Sequence, residues 1–410
     1  MYDMGMTVKV IENCRICGTG HFYRILDLGS QYLSGYFPYS MDDPHLLSVP
    51  LELVQCSNNN CGLLQLKHSV DPTISFHSGY GYRSGLNQSM IQHIRTVVNW
   101  GLSNLNCESG SVLDIGSNDG TLINFVPKEF SRFAIDPLMN KFKEFYDRDV
   151  HTIHGFFPED LFNSQYLDRK FHLISSLSML YDVPDPKKFV QQIAKILDPE
   201  NGIWIFEQSY AMSMLEKTAF DTICHEHLEY YSLKSLNFLL DECDLQIIDC
   251  VLTETNGGSV LGAVAKKSSS HQISDNYRSI LMHESKLQPL VENFAKSVDA
   301  TCELILKSLN HLKQNRNKIG AIGASTKGNT LLQSAKIDNT FIEMVGEVNE
   351  EKYGLLTPGS SIPIVSEREK DFLNLDAFLV LPWHFKKYFR KQHPLWSKMV
   401  FPDDMFIRIP

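Results

Sequence analysis

The run Val112-Leu113-Asp114-Ile115-Gly116-Ser117-Asn118-Asp119-Gly120-Thr121 fixes how the centre of the chain folds. An apolar strand ends in a carboxylate. Gly116 and Gly120 then allow a tight turn into a helix and let a ligand approach the backbone. The next apolar run closes on Ala134-Ile135-Asp136-Pro137. Asp136 stands at the end of this second strand, where a carboxylate can accept hydrogen bonds from ribose hydroxyls. A dinucleotide loop would read G-x-G-x-x-G, but Asn118 replaces the middle glycine, and Asp114 and Asp119 repel phosphates. A nucleoside without phosphates fits better. S-adenosylmethionine, with its cationic sulfonium, is the expected cofactor, and Asp114, Gly116, Asn118, Asp119, Gly120, Asp136 and Pro137 are its candidate binding residues. A strand–turn–helix corner without a ligand is the plainer alternative.

Outward from this loop, apolar runs at 111–115, 133–135, 172–176 and 203–206 alternate with helical stretches, the pattern of an α/β sheet. Leu233, Leu236, Leu239 and Leu240 share one helical face. Runs at 246–252 and 259–265 flank Asn256-Gly257-Gly258, a turn signal that predicts an antiparallel edge pair. Residues 266–288 are polar and read as linker. Pro289 can open a helix whose stripe is Val291, Phe294, Val298, Ile305, Leu309 and Leu312. A second α/β block follows from Lys318, with strands expected at 319–322, 341–345 and 378–381. The expected domains are 1–75, 76–268 with a Gly/Tyr/Ser-rich loop at 76–93, a helical linker over 269–313, and 314–410.

Composition narrows the class. Of 410 residues, 43% are hydrophobic and 21% charged, which excludes a disordered or collagen-like chain. Lys and Arg number 38 against 48 Asp and Glu, a net charge of −10 that argues against a nucleic-acid binder. No apolar run is long enough for a membrane span, and residues 1–10 lack the apolar core of a signal peptide. A cytoplasmic monomer is expected.

Nine cysteines are an odd count for a disulfide framework. Four are paired near the N-terminus, Cys14-Arg-Ile-Cys17-Gly18 and Cys56-Ser-Asn-Asn-Asn-Cys61-Gly62. Two such knuckles supply four thiolates to one tetrahedral zinc, and four protein ligands leave no open position for catalysis. The metal is therefore expected to be structural, in a module too small to bury much core alone. A nucleic-acid-binding zinc ribbon is disfavoured by Asp27, Asp42, Asp43 and Glu52 between the knuckles against the single Arg24.

Two further segments carry chemistry. Cys224-His225-Glu226-His227-Leu228-Glu229-Tyr230-Tyr231 is not H-E-x-x-H, because its histidines are two apart. Extended, it would point His225 and His227 one way and Glu226 the other. The group suits proton transfer, with a structural polar loop as the alternative. In Gly320-Ala321-Ile322-Gly323-Ala324-Ser325-Thr326-Lys327-Gly328-Asn329, Lys327 precedes Gly328, so this is not a P-loop. Amides at a helix start, with Gly323, Ser325, Lys327 and Asn329, are nevertheless candidates to grip a diphosphate. Trp383 can stack on a base or fill core.

Taken in order, the paired cysteines, Tyr80-Gly-Tyr-Arg-Ser-Gly-Leu-Asn-Gln, the Asp114–Thr121 loop, His225-Glu-His-Leu, Asn256-Gly-Gly-Ser, Gly323-Ala-Ser-Thr-Lys-Gly-Asn-Thr and Thr357-Pro-Gly-Ser-Ser-Ile-Pro resemble the sugar C-methyltransferases that act on nucleotide-linked 4-keto-deoxyhexoses. These are the C3-methyltransferases of tetronitrose-, mycarose- and virenose-type pathways, and the resemblance spans essentially the whole chain. It implies a zinc-binding N-terminal domain, a central S-adenosylmethionine-dependent methyltransferase domain and a C-terminal α/β domain that helps hold a dTDP- or GDP-linked sugar. It also implies His227 as catalytic base, assisted by Glu226, with a tyrosine of the 80–82 loop near the sugar. Some relatives have Tyr in place of Cys224 and His in place of Asp182, so those roles do not transfer. In such a reaction a histidine removes the proton beside a ketone, and Tyr80, Tyr82 and His225 are candidate donors to the developing enolate oxygen. An NAD-linked oxidoreductase or epimerase of nucleotide sugars, and a zinc-containing non-catalytic interaction protein, are the competing readings.

Overall fold

The computed structural model describes residues 8–71, 74, 83–166 and 168–406. In the centre, β6 (Gly110–Ile115), β7 (Phe130–Asp136), β8 (His151–His154), β9 (Leu173–Leu177), β10 (Ile203–Ser209), β12 (Leu245–Thr253) and β13 (Ser259–Lys266) form one seven-stranded sheet. Its order is β12-β13-β10-β9-β6-β7-β8. The first five strands in sequence pair parallel, while β13 runs antiparallel to both β10 and β12, as the Asn256-Gly257-Gly258 turn predicts. Nearly every residue of β6, β7 and β10 is buried, because helices cover both faces of a parallel sheet. The covering helix Pro186–Ile196 illustrates the local code: Asp185 caps it, Pro186 occupies its first turn, and Phe189, Val190, Ile193 and Ile196 face the sheet.

The N-terminal module holds β2 (Phe22–Tyr32), β3 (Ser48–Cys56) and β4 (Leu64–Leu66) in an antiparallel sheet, beside the small pair β1 (Val8–Val10) and β5 (His68–Val70). A fourth strand comes from far along the chain. β11 (Glu229–Tyr230) pairs antiparallel with β4, setting Glu229 opposite Gln65 and Tyr230 opposite Leu64. The C-terminal sheet is wholly parallel, ordered β16 (Ile364–Ser366), β15 (Val345–Glu347), β14 (Ile319–Ile322), β17 (Ala377–Val380), β18 (Met399–Val400). One hydrophobic cluster runs through all three parts, from Leu53 to Trp204 to Ile364.

Three expectations are corrected. The stretch read as linker contains the helix Asp275–His283, capped by Ser274 and docked by buried Tyr277, whose hydroxyl donates to Asn237 at 3.0 Å. The long helix begins at Leu287, before Pro289, and runs to Gln314. The strand expected at 341–345 starts only at Val345, because Asp338 accepts from the Thr340 amide and hydroxyl and bends the chain into a turn. Among the described residues no helix is long and apolar enough to cross a membrane.

Arg15, within the first cysteine knuckle, closes the junction around β11. Its Nε lies 3.3 Å from a Glu229 oxygen, and its other nitrogens donate to the Leu66 carbonyl and the Ser69 hydroxyl. Both side chains of the pair are buried. Burial pushes the Glu229 carboxyl up and Arg15 works against that push. Removing one partner strands a charge in the interior, so Arg15→Met or Glu229→Gln alone is expected to cost about 3–5 kcal/mol. Urea unfolding of Arg15→Met/Glu229→Leu should return much of that loss; additive single costs would show that the pair is not coupled.

Candidate active site

The glycine loop crosses the carboxyl edge of the central sheet. Gly116, Asn118 and Gly120 all have positive φ, +70°, +51° and +77°. At Gly120 a Cβ would sit 2.7 Å from the Tyr146 ring, so glycine is needed for space as well as for conformation. The Tyr146 hydroxyl donates to the Asn118 carbonyl and lies 2.7 Å from the Ser117 hydroxyl, which fixes the turn. Asp136 accepts from the Asn118 amide at 2.8 Å and the Leu138 amide at 2.6 Å. Burial nevertheless pushes its carboxyl up to about 6. Asp114 is more extreme: one oxygen accepts from Ser175, the other is buried without a partner, and burial pushes the group up to about 7. Pro137 is half-buried immediately after Asp136. An orphaned acceptor near the end of β6 and a carboxylate at the end of the adjacent β7, on either side of the glycine turn, fit the cationic nucleoside S-adenosylmethionine.

Asp119 has a different task from the one expected. One of its oxygens accepts from Arg83 Nε and from the Gly85 amide, both at 2.9 Å, and the other from the Thr121 hydroxyl at 2.6 Å. It fastens the segment that enters the helix Gln88–Ser103 onto the loop and has no free oxygen aimed at a ligand. Tyr80 and Tyr82 lie outside the described residues.

The His-Glu-His segment is a turn, not an extended strand, since the His227 amide donates back to the Cys224 carbonyl. Its three side chains diverge. His225 Nε2 lies 3.0 Å from the Val49 carbonyl of β3, so the buried imidazole braces the N-terminal module. Burial pushes its pKa down. Glu226 accepts from the Ser34 hydroxyl at 3.2 Å and the Gly35 amide at 3.1 Å. A Cβ at Gly35 would stand 2.6 Å from that carboxylate. His227 Nδ1 is 2.9 Å from the Thr222 carbonyl, and its ring centroid is 4.2 Å from that of Tyr181. Deeply set yet partly accessible, His227 is pushed down to about 3, first by burial and then by the Lys327 ammonium.

Lys327 reaches this cluster from the helix Thr326–Ser334 of the C-terminal domain. Its Nζ donates to the Asn256 carbonyl, and burial pushes its pKa down against the opposing pull of Asp221 and Cys224. The second glycine loop is thus no open cradle for a diphosphate. The Ala324 amide donates to Glu347 at 2.9 Å, Lys352 donates to the Ala324 carbonyl, and Ser325 accepts from the Gly328 amide as helix cap. Asn329 donates to the Ser34 carbonyl at 2.7 Å. Gly323 makes the turn against Pro382. Trp383 fills core and donates to Asp221 at 2.6 Å. The sequence reading missed Glu347, which sits at its strand end as Asp136 does, and Tyr181, which carries no motif.

The four cysteine sulfurs lie within 4.8 Å of one another, with Cys14–Cys61 at 3.8 Å and Cys17–Cys56 at 3.4 Å. Zinc–thiolate bonds of about 2.3 Å in a tetrahedron require sulfurs roughly 3.8 Å apart. The set fits a structural zinc with no fifth candidate ligand among the described residues.

Comparison with known proteins gives the same three-part order. Residues 14–76 match a zinc binding domain, 90–249 a methyltransferase domain, and 254–400 the C-methyltransferase C-terminal domain. The three matches together span the chain from residue 14 to residue 400, and the last is specific to C-methyltransferases. The chain is 27% identical over 389 residues to the C-methyltransferase NovU of Streptomyces niveus, covering 92% of this chain and 91% of that one. Among solved structures, magnesium protoporphyrin IX methyltransferase (ChlM) from Synechocystis PCC 6803, with bound SAH, is 16% identical. It covers 46% of this chain and 90% of its own, with a TM-score of 0.34. An S-adenosylmethionine-dependent methyltransferase from Clostridium acetobutylicum is 14% identical, covering 43% and 92%, with a TM-score of 0.33. The enzyme is an S-adenosylmethionine-dependent methyltransferase with a four-cysteine zinc domain.

Two measurements check this site. Cys56→Ser should lose about one zinc per chain and, with it, amide-exchange protection at Leu228–Tyr230; full protection in metal-free protein would uncouple the metal from β11. Asp114 has a folded pKa above its unfolded value, so its ionisation opposes folding above about pH 7, and that cost vanishes as pH falls below the unfolded value. Asp114→Asn should therefore raise the Tm at about pH 8 by several degrees, with little gain near pH 4. An equal gain at both would locate the effect in packing.

Proposed function

We propose that this enzyme methylates a nucleotide-linked 4-keto-6-deoxy sugar, dTDP- or GDP-bound, at C3. The carrying observation is His227. Its Nδ1–H is spent on the Thr222 carbonyl, so the neutral ring keeps its lone pair on Nε2, where a proton can be received. Low basicity keeps it unprotonated across physiological pH. Bound S-adenosylmethionine supplies an electrophilic methyl group. Everything else is asked of side chains on this chain.

His227 takes the C3 proton, and the electron pair it leaves is delocalised onto the ketone oxygen as an enolate. C3 would then bond the methyl carbon as the sulfur–methyl bond breaks, its electron pair staying on the sulfur of the departing S-adenosylhomocysteine. The imidazolium afterwards releases its proton to solvent. Glu226, locked by Ser34 and Gly35, holds its carboxylate beside this turn as an assisting group. Lys327 supplies positive charge for the enolate, in place of the diphosphate grip suggested by its sequence context, and Tyr80 and Tyr82 are proposed donors to the same oxygen. Asp136 would hold the cofactor ribose and Asp114 its cationic end, with Gly116, Asn118 and Gly120 opening the backbone. His225 is assigned to bracing. Gly323, Ser325 and Asn329 shape the domain that faces the sugar nucleotide.

Labelled S-adenosylmethionine with a panel of nucleotide 4-keto sugars tests the substrate, and no turnover on any of them would overturn it. His227→Ala should lower turnover ~10²–10⁴-fold while both ligands still bind. Glu226→Gln should fall less, and His225→Ala should lower the Tm more than it lowers turnover. Loss of turnover in His225→Ala with a normal His227→Ala would move the base to His225.

A further inference from the structure

A second acid–imidazole pair stands at the same edge of the central sheet and is used by none of the chemistry above. The helix Gln88–Ser103 runs antiparallel to the strands. Gly101 packs on Leu173 and Ile205 near the beginnings of β9 and β10, so His93, two turns earlier, lies beside Glu207 toward the end of β10. Glu207 has both oxygens occupied: His93 Nε2 is 2.7 Å from one, and the Thr253 hydroxyl donates to the other at 2.7 Å. Thr255 Oγ1 lies 3.1 Å from the same imidazole nitrogen. Glu207 is almost fully buried, with 2% of its side chain exposed, whereas His93 keeps 23%.

A buried carboxylate that takes the Nε2–H fixes both ring orientation and tautomer, and puts the lone pair on Nδ1. Among the described residues nothing bonds that nitrogen. β10 adjoins β9, and β9 adjoins β6, which carries the glycine loop. Two strand spacings place the pair about 10 Å from that loop. An acceptor whose reacting carbon meets the cofactor there extends its other polar groups over a distance of this size. We propose that His93, oriented by Glu207, is an acceptor-binding residue whose Nδ1 takes a hydrogen bond from a hydroxyl or amino group of the methyl acceptor. The proposal rests on the acceptor being a sugar of the class argued above.

The dyad is read first without substrate. Nitrogen-15 NMR of histidine-labelled enzyme, with His93→Asn identifying the signal, should show His93 as the Nε2–H tautomer, and Glu207→Gln should shift that signal. A wild-type His93 protonated on Nδ1 would overturn the proposal. With a nucleotide keto sugar that the wild type methylates, His93→Ala should raise its KM about tenfold and leave SAH affinity unchanged. His93→Asn, which restores an acceptor atom near Nδ1, should recover most of the loss. An unchanged KM, or equal loss of both ligands, would overturn it. If the wild type methylates no sugar nucleotide, the substrate reading falls alone, and the tautomer still decides whether Glu207 holds His93 with Nδ1 free.

Discussion

A strand of only two residues, Glu229–Tyr230, ties the chemistry to the metal. Alone, so short a strand has no stability, because its few hydrogen bonds do not offset the entropy of ordering it. It forms because β4 is already held in a sheet whose ends carry the cysteine pairs, and because Tyr230, Tyr231 and the Arg15–Glu229 pair are buried around it. The His-Glu-His turn ends one residue before this strand, and Leu228 between them donates to the Tyr181 carbonyl and accepts from Leu66. A coordinatively closed zinc thus shapes the site at a distance, through backbone register.

The same turn is gripped from two other directions. Gly35 and Ser34 hold Glu226, and Asn329 of the C-terminal domain donates to the Ser34 carbonyl, so the loop that carries the carboxylate's donors is itself fixed by a third element. Nearby, Gln31 and the Tyr32 amide bond Ser334 and Gln333 at the end of that C-terminal helix. Elements of the N-terminal module and of the C-terminal domain thus together hold this turn of the central domain. Placing reacting groups on several rigid elements lowers the reorganisation required when charge develops, which gives a physical reason for three domains where a methyl-transfer fold needs only one.

What the sequence revealed, and what it hid, follows from the range of each interaction. Gly116, Gly120 and Asp136 were legible because a turn and the end of the next strand are local features with fixed chemistry. The cysteine pairs were legible for the same reason. Asp119 was misread: its carboxylate is claimed by Arg83 and Gly85, on a segment that the loop alone does not announce. His225 and His227 were expected to share a face, but Val49 is 176 residues from His225, and its carbonyl draws that ring away. Lys327 looked like a phosphate ligand because a lysine at a helix start usually is one. Only the packing of one domain on another turns it toward Asn256 and His227. The missed helix Asp275–His283 is only nine residues long, and its short apolar stripe, Tyr277, Ile280 and Leu281, is outnumbered by the polar residues around it, so the segment read as linker.

A histidine pushed down to about 3 is a weak base, and that weakness has to be weighed against its proposed task. The two causes of the shift act on an isolated proton gain: burial penalises a lone imidazolium, and Lys327 repels it. Proton abstraction from a ketone does not create a lone charge. It creates an imidazolium and an enolate a few ångströms apart, in a medium where opposite charges attract far more strongly than in water. In the proposed reaction the enolate would also attract the Lys327 ammonium, so the group that disfavours a protonated His227 in the resting enzyme would favour the charge-separated pair. The site is thus unwelcoming to a stray proton and receptive to one that arrives with its counter-charge. A buried lysine facing a buried neutral histidine, wasteful as a device for stability, is coherent as a device for forming an enolate.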